Sequence, residues 1–237
     1  MKKTLEFKEG LKAGIPIAVG YLPIAITFGL MTKAAGIPSY VGILMSLILY
    51  AGASQFVGIN LLVLGAASWE IVLTTFILNL RHFLMSASLS QSLKPESNKA
   101  LLPLVSFGIT DETFTVASLN SKDKLDVHYL LGLNIIAFSA WNIGTWCGLF
   151  LASGLPQSLK DSMGIALYSM FIGLLIPSAA KSKPVLVIAL MAAATHALIK
   201  WLPIFDALSA GWSIIISTII AATIGAYLYP QEENQDA

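Results

Sequence analysis

The chain has 237 residues, 56% of them hydrophobic and only 11% charged, with a formal net charge of +1. Soluble domains carry about a quarter charged residues, so this composition excludes an ordinary soluble fold, and the near-neutral balance suggests neither a nucleic-acid nor an acidic partner. The single cysteine, Cys147, excludes an internal disulfide, and no motif points to a metal or a cofactor.

The opening MKKTLEFKEGLK has the basic character of a signal peptide, but Glu6 and Glu9 interrupt it and a full-length apolar segment follows. It reads as a retained first helix. About eight apolar runs follow one another, at 13–34, 40–64, 69–90, 100–120, 128–152, 162–180, 184–202 and 206–229. Most are near the ~20 residues that a helix needs to cross a ~30 Å hydrocarbon layer. Connections are short, and the most polar are SLKPESNK at 92–99 and NSKDKLD at 120–126; the tail QEENQDA is a solvated end. The expectation is an all-α, polytopic bundle of about eight transmembrane helices, a single transporter-like domain over residues 1–237 in the cytoplasmic membrane, surrounded by lipid.

Basic residues set the expected orientation. With a cytoplasmic N-terminus and eight crossings, Lys2, Lys3, Lys8, Lys12, Lys122, Lys124, Lys181 and Lys183 fall inside. Lys33, Lys94, Lys99, Lys160 and Lys200 then fall outside. Seven crossings, with 100–120 re-entrant, would move Lys122 and Lys124 outside and remove this bias, so eight is preferred. An internal echo joins AGASQ at 51–55 to AAATH at 192–196, and TFGLM at 27–31 to FIGLL at 171–175. Groups 13–90 and 162–229 would run in opposite directions, the inverted repeat typical of secondary transporters; the competing reading is chance likeness between small-residue helices.

Three polar groups interrupt the apolar runs. Arg81, the only arginine, lies within FILNLRHFLMS at 76–86, where insertion of an arginine at a helix centre costs about 2.5–3.5 kcal/mol. Either it snorkels to headgroups or it meets an anion. Asp111 and Glu112 lie in mid-run in FGITDETFTV at 107–116 and point ~100° apart on a helix, so that one could pair with Arg81 while the other lines a cavity or carries a proton. The same TDET also reads as a helix start, with Thr110 or Asp111 as N-cap. Both readings hold together if the helix is broken at membrane depth where it lines a cavity. The third group is Ser54, Gln55, Asn79, Thr195 and His196 beside small residues, as ligand contacts or as interhelical hydrogen bonds; His196 is a candidate proton carrier or a packing element.

Other features have structural readings. Pro16, Pro23, Pro103 and Pro177 imply kinks or helix ends. Gly144 and Gly148 form a G-x-x-x-G, a close-packing face for another helix of this chain or of a partner. Trp141, Trp146, Trp201 and Trp212 are interface anchors or packing residues. No HExxH, GxSxG or paired metal-ligand spacing appears, so the reading is not an enzyme.

AGASQF at 51–56, NLRHFLMSASL at 79–89 and TDETF at 110–114 together resemble the AzlC family, the large subunit of branched-chain amino acid exporters. The resemblance extends from PIAVGYLPIAITFG at 16–29 to the last run. It implies export of leucine, isoleucine and valine, and in some members methionine or analogues, driven by the proton gradient. It also implies a small AzlD-like membrane partner. Within that reading, Arg81 is the bidentate group for the substrate carboxylate, with Ser54, Gln55, Asn79 and Glu112 in the site and Asp111, Glu112 and His196 as proton-coupling candidates. A passive channel, or a carrier for another small solute, is the alternative.

Overall fold

The computed structural model of the chain describes residues 2–120, 124–151, 154, 156, 172, 175–177, 179–205 and 208–230. Its named elements are helical: α1 (Lys2–Ala34), α2 (Ser39–Leu44) continued by a π-turn (Met45–Leu49), α3 (Gly52–Val63), α4 (Ser68–Gln91), α5 (Leu102–Phe107), α6 (Asp111–Leu119), α7 (Val127–Leu151), α8 (Lys183–Trp201) and α9 (Ala210–Leu228). Among the described residues five helices, α1, α4, α7, α8 and α9, are long and apolar enough to cross a membrane. The protein is thus an all-helical, multi-pass membrane protein. The expected run at 162–180 lies mostly outside the described residues.

The chain forms two compact units, residues 1–59 with 78–167, and residues 60–77 with 168–237. In the first, α1 and α7 pack side by side in the same direction. A Cβ on Gly10 would lie 2.0 Å from the Tyr129 carbonyl oxygen, one on Gly29 2.3 Å from that of Thr145, and one on Gly148 2.1 Å from that of Ile26. Glycine is what permits this backbone contact, and in lipid, where apolar burial between helices contributes little, such van der Waals contact is the main attraction. The G-x-x-x-G of Gly144 and Gly148 therefore faces α1 of the same chain. Pro16 and Pro23 lie within α1 and neither ends it.

Two of the expected crossings are hairpins. From the far end of α1 and α7, Gly42 lies against Thr32 and Leu149, and the Ser46 hydroxyl is 2.8 Å from that of Thr145. The Tyr50 ring then reaches Phe138, half-way along α7, at 5.0 Å. There the backbone turns, with Tyr50 left-handed at φ +43, and the chain climbs back: Gly52 lies on Trp141 and Gly58 beside Met45, while Phe56 packs on Phe28 at 5.4 Å. The run at 40–64 thus enters and leaves on one side.

The run at 100–120 does the same from the opposite side. Asn134 Nδ2 donates to the Val105 carbonyl at 2.9 Å. The Phe107 ring meets Phe138 at 5.9 Å and Tyr50 at 6.1 Å, the helix breaks at 108–110, and α6 returns. Both ends lie with the N-terminus, because Leu93 bridges Leu125 and Lys94 Nζ lies 3.2 Å from Glu6 Oε1 and 3.3 Å from Asp126 Oδ2. Lys94 and Lys99, expected on the side opposite the N-terminus, are therefore on the same side as Lys3, Lys8, Lys12 and Lys124. The physical reason is length degeneracy: a ~12-residue helix rises only ~18 Å, so two of them back to back have the composition of one spanning helix.

In the second unit α8 and α9 pack through Gly225, where a Cβ would lie 2.6 Å from the Ile188 side chain. The Glu70 carboxylate, 3% exposed, accepts from the Ser209 hydroxyl and from the Gly211 amide at 2.6 Å. A carboxylate thus caps the α9 N-terminus, where the helix dipole favours negative charge. AAATH lies inside continuous α8, whereas AGASQ opens α3 straight after the break at Tyr50.

Candidate functional site

The tip of the second hairpin carries Asp111 and Glu112, α3 carries Ser54 and Gln55, and α4 carries Asn79 and Arg81. Thr110 caps α6, its hydroxyl accepting from the Thr113 amide while the Thr113 hydroxyl accepts from the Thr110 amide at 2.8 Å. This capping box closes the orphan amides locally and puts Asp111 and Glu112 in the first turn, at the positive end of the helix dipole and at mid-depth. The helix-start reading of TDET is realised, and both carboxylates are half-buried rather than buried.

Asp111 meets the arginine. Arg81 Nη1 lies 2.8 Å from Asp111 Oδ2, with the two side chains 43% and 47% exposed. The contact uses one guanidinium nitrogen and one carboxylate oxygen, so the planar fork keeps donors for a second carboxylate. The pair is open enough to be reached and is not a sealed structural bridge. Ten residues, about 15 Å, separate Arg81 from Gln91, and the Gln91 carbonyl accepts from Lys124 at the N-terminal end.

Glu112 points elsewhere. It accepts from the Tyr21 hydroxyl at 2.5 Å, and Tyr21 in turn accepts from Thr110 Oγ1 at 2.7 Å. The Tyr21 ring packs edge-on against Trp141 at 5.3 Å, and Trp141 Nε1 donates to Gln55 Oε1 at 3.0 Å. Gln55 Nε2 donates to Ser46 Oγ at 2.9 Å. Ser54 Oγ donates to Asn79 Oδ1 at 2.6 Å. The predicted residues thus fall into separate contacts: Arg81 with Asp111, Ser54 with Asn79, Glu112 with Tyr21. Gln55, fully buried, has both ends of its amide engaged and ties α3 to the π-turn and to α7. Half-buried His196 lies on α8, in the other unit. Tyr21 was missed in the sequence, where a tyrosine between two prolines in an apolar run has no distinguishing pattern. Trp141 is a packing residue with a satisfied indole.

Replacing Gln55 by methionine, of similar volume, leaves the buried indole N–H of Trp141 unpaired. The expected loss is about 2 kcal/mol of stability, read as a lower unfolding temperature in detergent.

Between α4 and α5 an open surface groove of about 590 Å³ is lined by His82, Phe83, Ser86, Ala87, Pro103, Ser106 and Phe107. It lies on the N-terminal side of Arg81, along the stretch of α4 that descends toward Gln91. The N-terminal end itself is tied by Lys94, Glu6, Asp126 and His128, the last with Nδ1 2.9 Å from Asp126 Oδ1. Burial alone would push the Asp126 carboxyl up, but the His128 amide and ring and the Lys94 ammonium outweigh it and hold it below its ordinary value. For Lys94, burial acts against the charge, and Glu6 and Asp126 outweigh it and hold the ammonium above its ordinary value. The Asp126 contribution to stability is therefore present above its ordinary value of 3.8 and lost as pH falls through the lower folded one. That of Lys94 is present below 10.5 and lost as pH rises through the raised one. Lys94→Met is expected to lower the unfolding temperature by a constant amount between about pH 5 and 9, with the difference shrinking outside that window; a pH series of thermal melts checks it.

The family description "AzlC protein" matches residues 16–155. The chain is 33% identical over 178 residues to the inner membrane protein YgaZ of Escherichia coli, covering 73% of each chain. It is 34% identical over 181 residues to an uncharacterized membrane protein of Archaeoglobus fulgidus, covering 75% of this chain and 78% of that one. The branched-chain amino acid transport protein AzlC of Bacillus subtilis is 27% identical over 110 residues, 46% of this chain and 42% of that one. No solved structure matches the chain. Both hairpins, with Asp111 and Glu112 at the tip of the second, and Arg81 on α4 fall inside the matched region, and the chain belongs to the AzlC family of membrane proteins.

Proposed function

We propose that the protein is a secondary transporter that exports leucine, isoleucine, valine and similar amino acids, driven by protons and working with a small AzlD-like membrane subunit. One observation carries this reading: an arginine and a carboxylate, paired yet half exposed, at mid-depth where two half-helices from opposite sides meet. Broken helices at the midplane are where secondary transporters hold charged substrates. The substrate carboxylate takes the open fork of Arg81 while one nitrogen stays with Asp111, and the α-ammonium is met by the Glu112 carboxylate. A carboxylate that holds a proton offers no charge to the ammonium, so substrate and proton exclude each other there, the coupling an antiporter needs. Lysines gathered at the N-terminal end support a cytoplasmic N-terminus, and the open groove beside His82 is then the cytoplasmic approach. Discrimination by one methylene amounts to only about 1–3 kcal/mol, so a group of aliphatic amino acids is carried.

The test is co-expression with a candidate small partner in cells lacking branched-chain export, loaded with a leucine-containing dipeptide. Leucine outside should rise and the rise should collapse with a protonophore. In vesicles, unlabelled leucine on the far side should accelerate exchange; without that acceleration the protein is a channel. No export from a verified complex sinks the substrate assignment.

A further inference from the structure

Tyr50 is the turning residue of the first hairpin, left-handed at φ +43. A tyrosine is strained there where glycine would not be, and such strain is retained mostly at functional positions. Its side chain is 3% exposed, and its ring lies among Phe138 and Phe107. Among the described residues its hydroxyl has no hydrogen-bond partner. Most buried hydroxyls are paired, so an unpaired one at a strained position asks for an external partner. Glu112 acts electrostatically on this hydroxyl and on that of Tyr21, but the Tyr21 hydroxyl already donates its hydrogen bond to Glu112.

We infer that the Tyr50 hydroxyl is a substrate-binding group that accepts a hydrogen bond from the α-ammonium of the transported amino acid, beside the Glu112 carboxylate. The inference rests on the amino-acid reading above. The α-ammonium is favoured over the carboxylate for three reasons. A carboxylate attracts an ammonium more strongly than the roughly half positive charge of the nearby α3 N-terminus repels it. A phenol oxygen has lone pairs to accept with. The faces of Tyr50, Phe107 and Phe138 attract a cation.

The test compares binding of leucine and of its keto-acid analogue, which lacks the ammonium, to the purified complex by titration calorimetry, with thermal melts in parallel. In Tyr50→Phe, leucine affinity should fall about tenfold, keto-acid affinity should stay unchanged, and the unfolding temperature should not fall, because only an unpaired hydroxyl has been removed. Equal losses for both ligands, or no loss for either, overturn the role of Tyr50 while the transport reading stands. A wild-type complex that binds neither leucine, isoleucine nor valine overturns that reading and this inference with it.

Discussion

Arg81→Lys is expected to lower leucine export by about 10- to 100-fold while the amount of inserted protein stays near wild type. Lysine keeps the positive charge and the Coulombic attraction to Asp111, so folding tolerates it. It loses the planar fork, which allows two parallel hydrogen bonds to a second carboxylate while one nitrogen still faces Asp111. Charge-assisted hydrogen bonds contribute about 1.5–3 kcal/mol each, which corresponds to the stated range. Arg81→Gln should be worse in both respects, because it leaves Asp111 at mid-depth without a cation, and adding Asp111→Asn should recover protein level without recovering transport. Full export by Arg81→Lys at normal protein level would remove bidentate recognition from the mechanism.

Gly148→Val is expected to destabilise the chain by about 3 kcal/mol or more, enough to prevent recovery of folded protein. A Cβ at Gly148 would lie 2.1 Å from the Ile26 carbonyl oxygen and 2.9 Å from the Leu30 amide nitrogen. Those are backbone atoms of the facing helix, so relief requires α1 and α7 to separate along their shared length. Separation would also pull Tyr21 on α1 away from Glu112, and Trp141 on α7 away from Gln55, so any protein that does fold should transport poorly. Gly20→Val is the control: a Cβ there meets nothing within 4 Å, and stability should be unchanged. Detergent-extracted protein passing as a single size-exclusion peak, with its unfolding temperature, reads both variants. A Gly148→Val chain as stable as wild type would mean that the α1–α7 interface is not the backbone of the first unit.

Much of the site was legible from chemistry alone. An arginine in an apolar run asks for an anion, and Asp111 and Glu112 were the carboxylates available at comparable depth. That Asp111 takes the arginine while Glu112 turns to Tyr21 was not legible, because neighbours ~100° apart on one helix exchange roles with a small rotation. Gln55 and Trp141 illustrate the same limit. Each reads as a ligand contact or an anchor, and only their mutual hydrogen bond shows that they satisfy each other in the interior. Tyr50 carried no signal, since its meaning lies in a backbone angle and a missing partner.

Composition and run length determined by themselves that the chain is helical and lives in a membrane, because a bilayer admits few other ways to satisfy a backbone. They also determined which residues are anomalous there, because charge in hydrocarbon is costly whatever the fold. Whether a 25-residue apolar run crosses or turns back was decided only by tertiary structure: both outcomes bury the same residues in the same medium. The difference lies in one backbone turn at Tyr50, another at 108–110, and the partners each tip finds. Tertiary structure therefore set the side of Lys94, the direction of the two half-helices, and the meeting of Arg81 with Asp111.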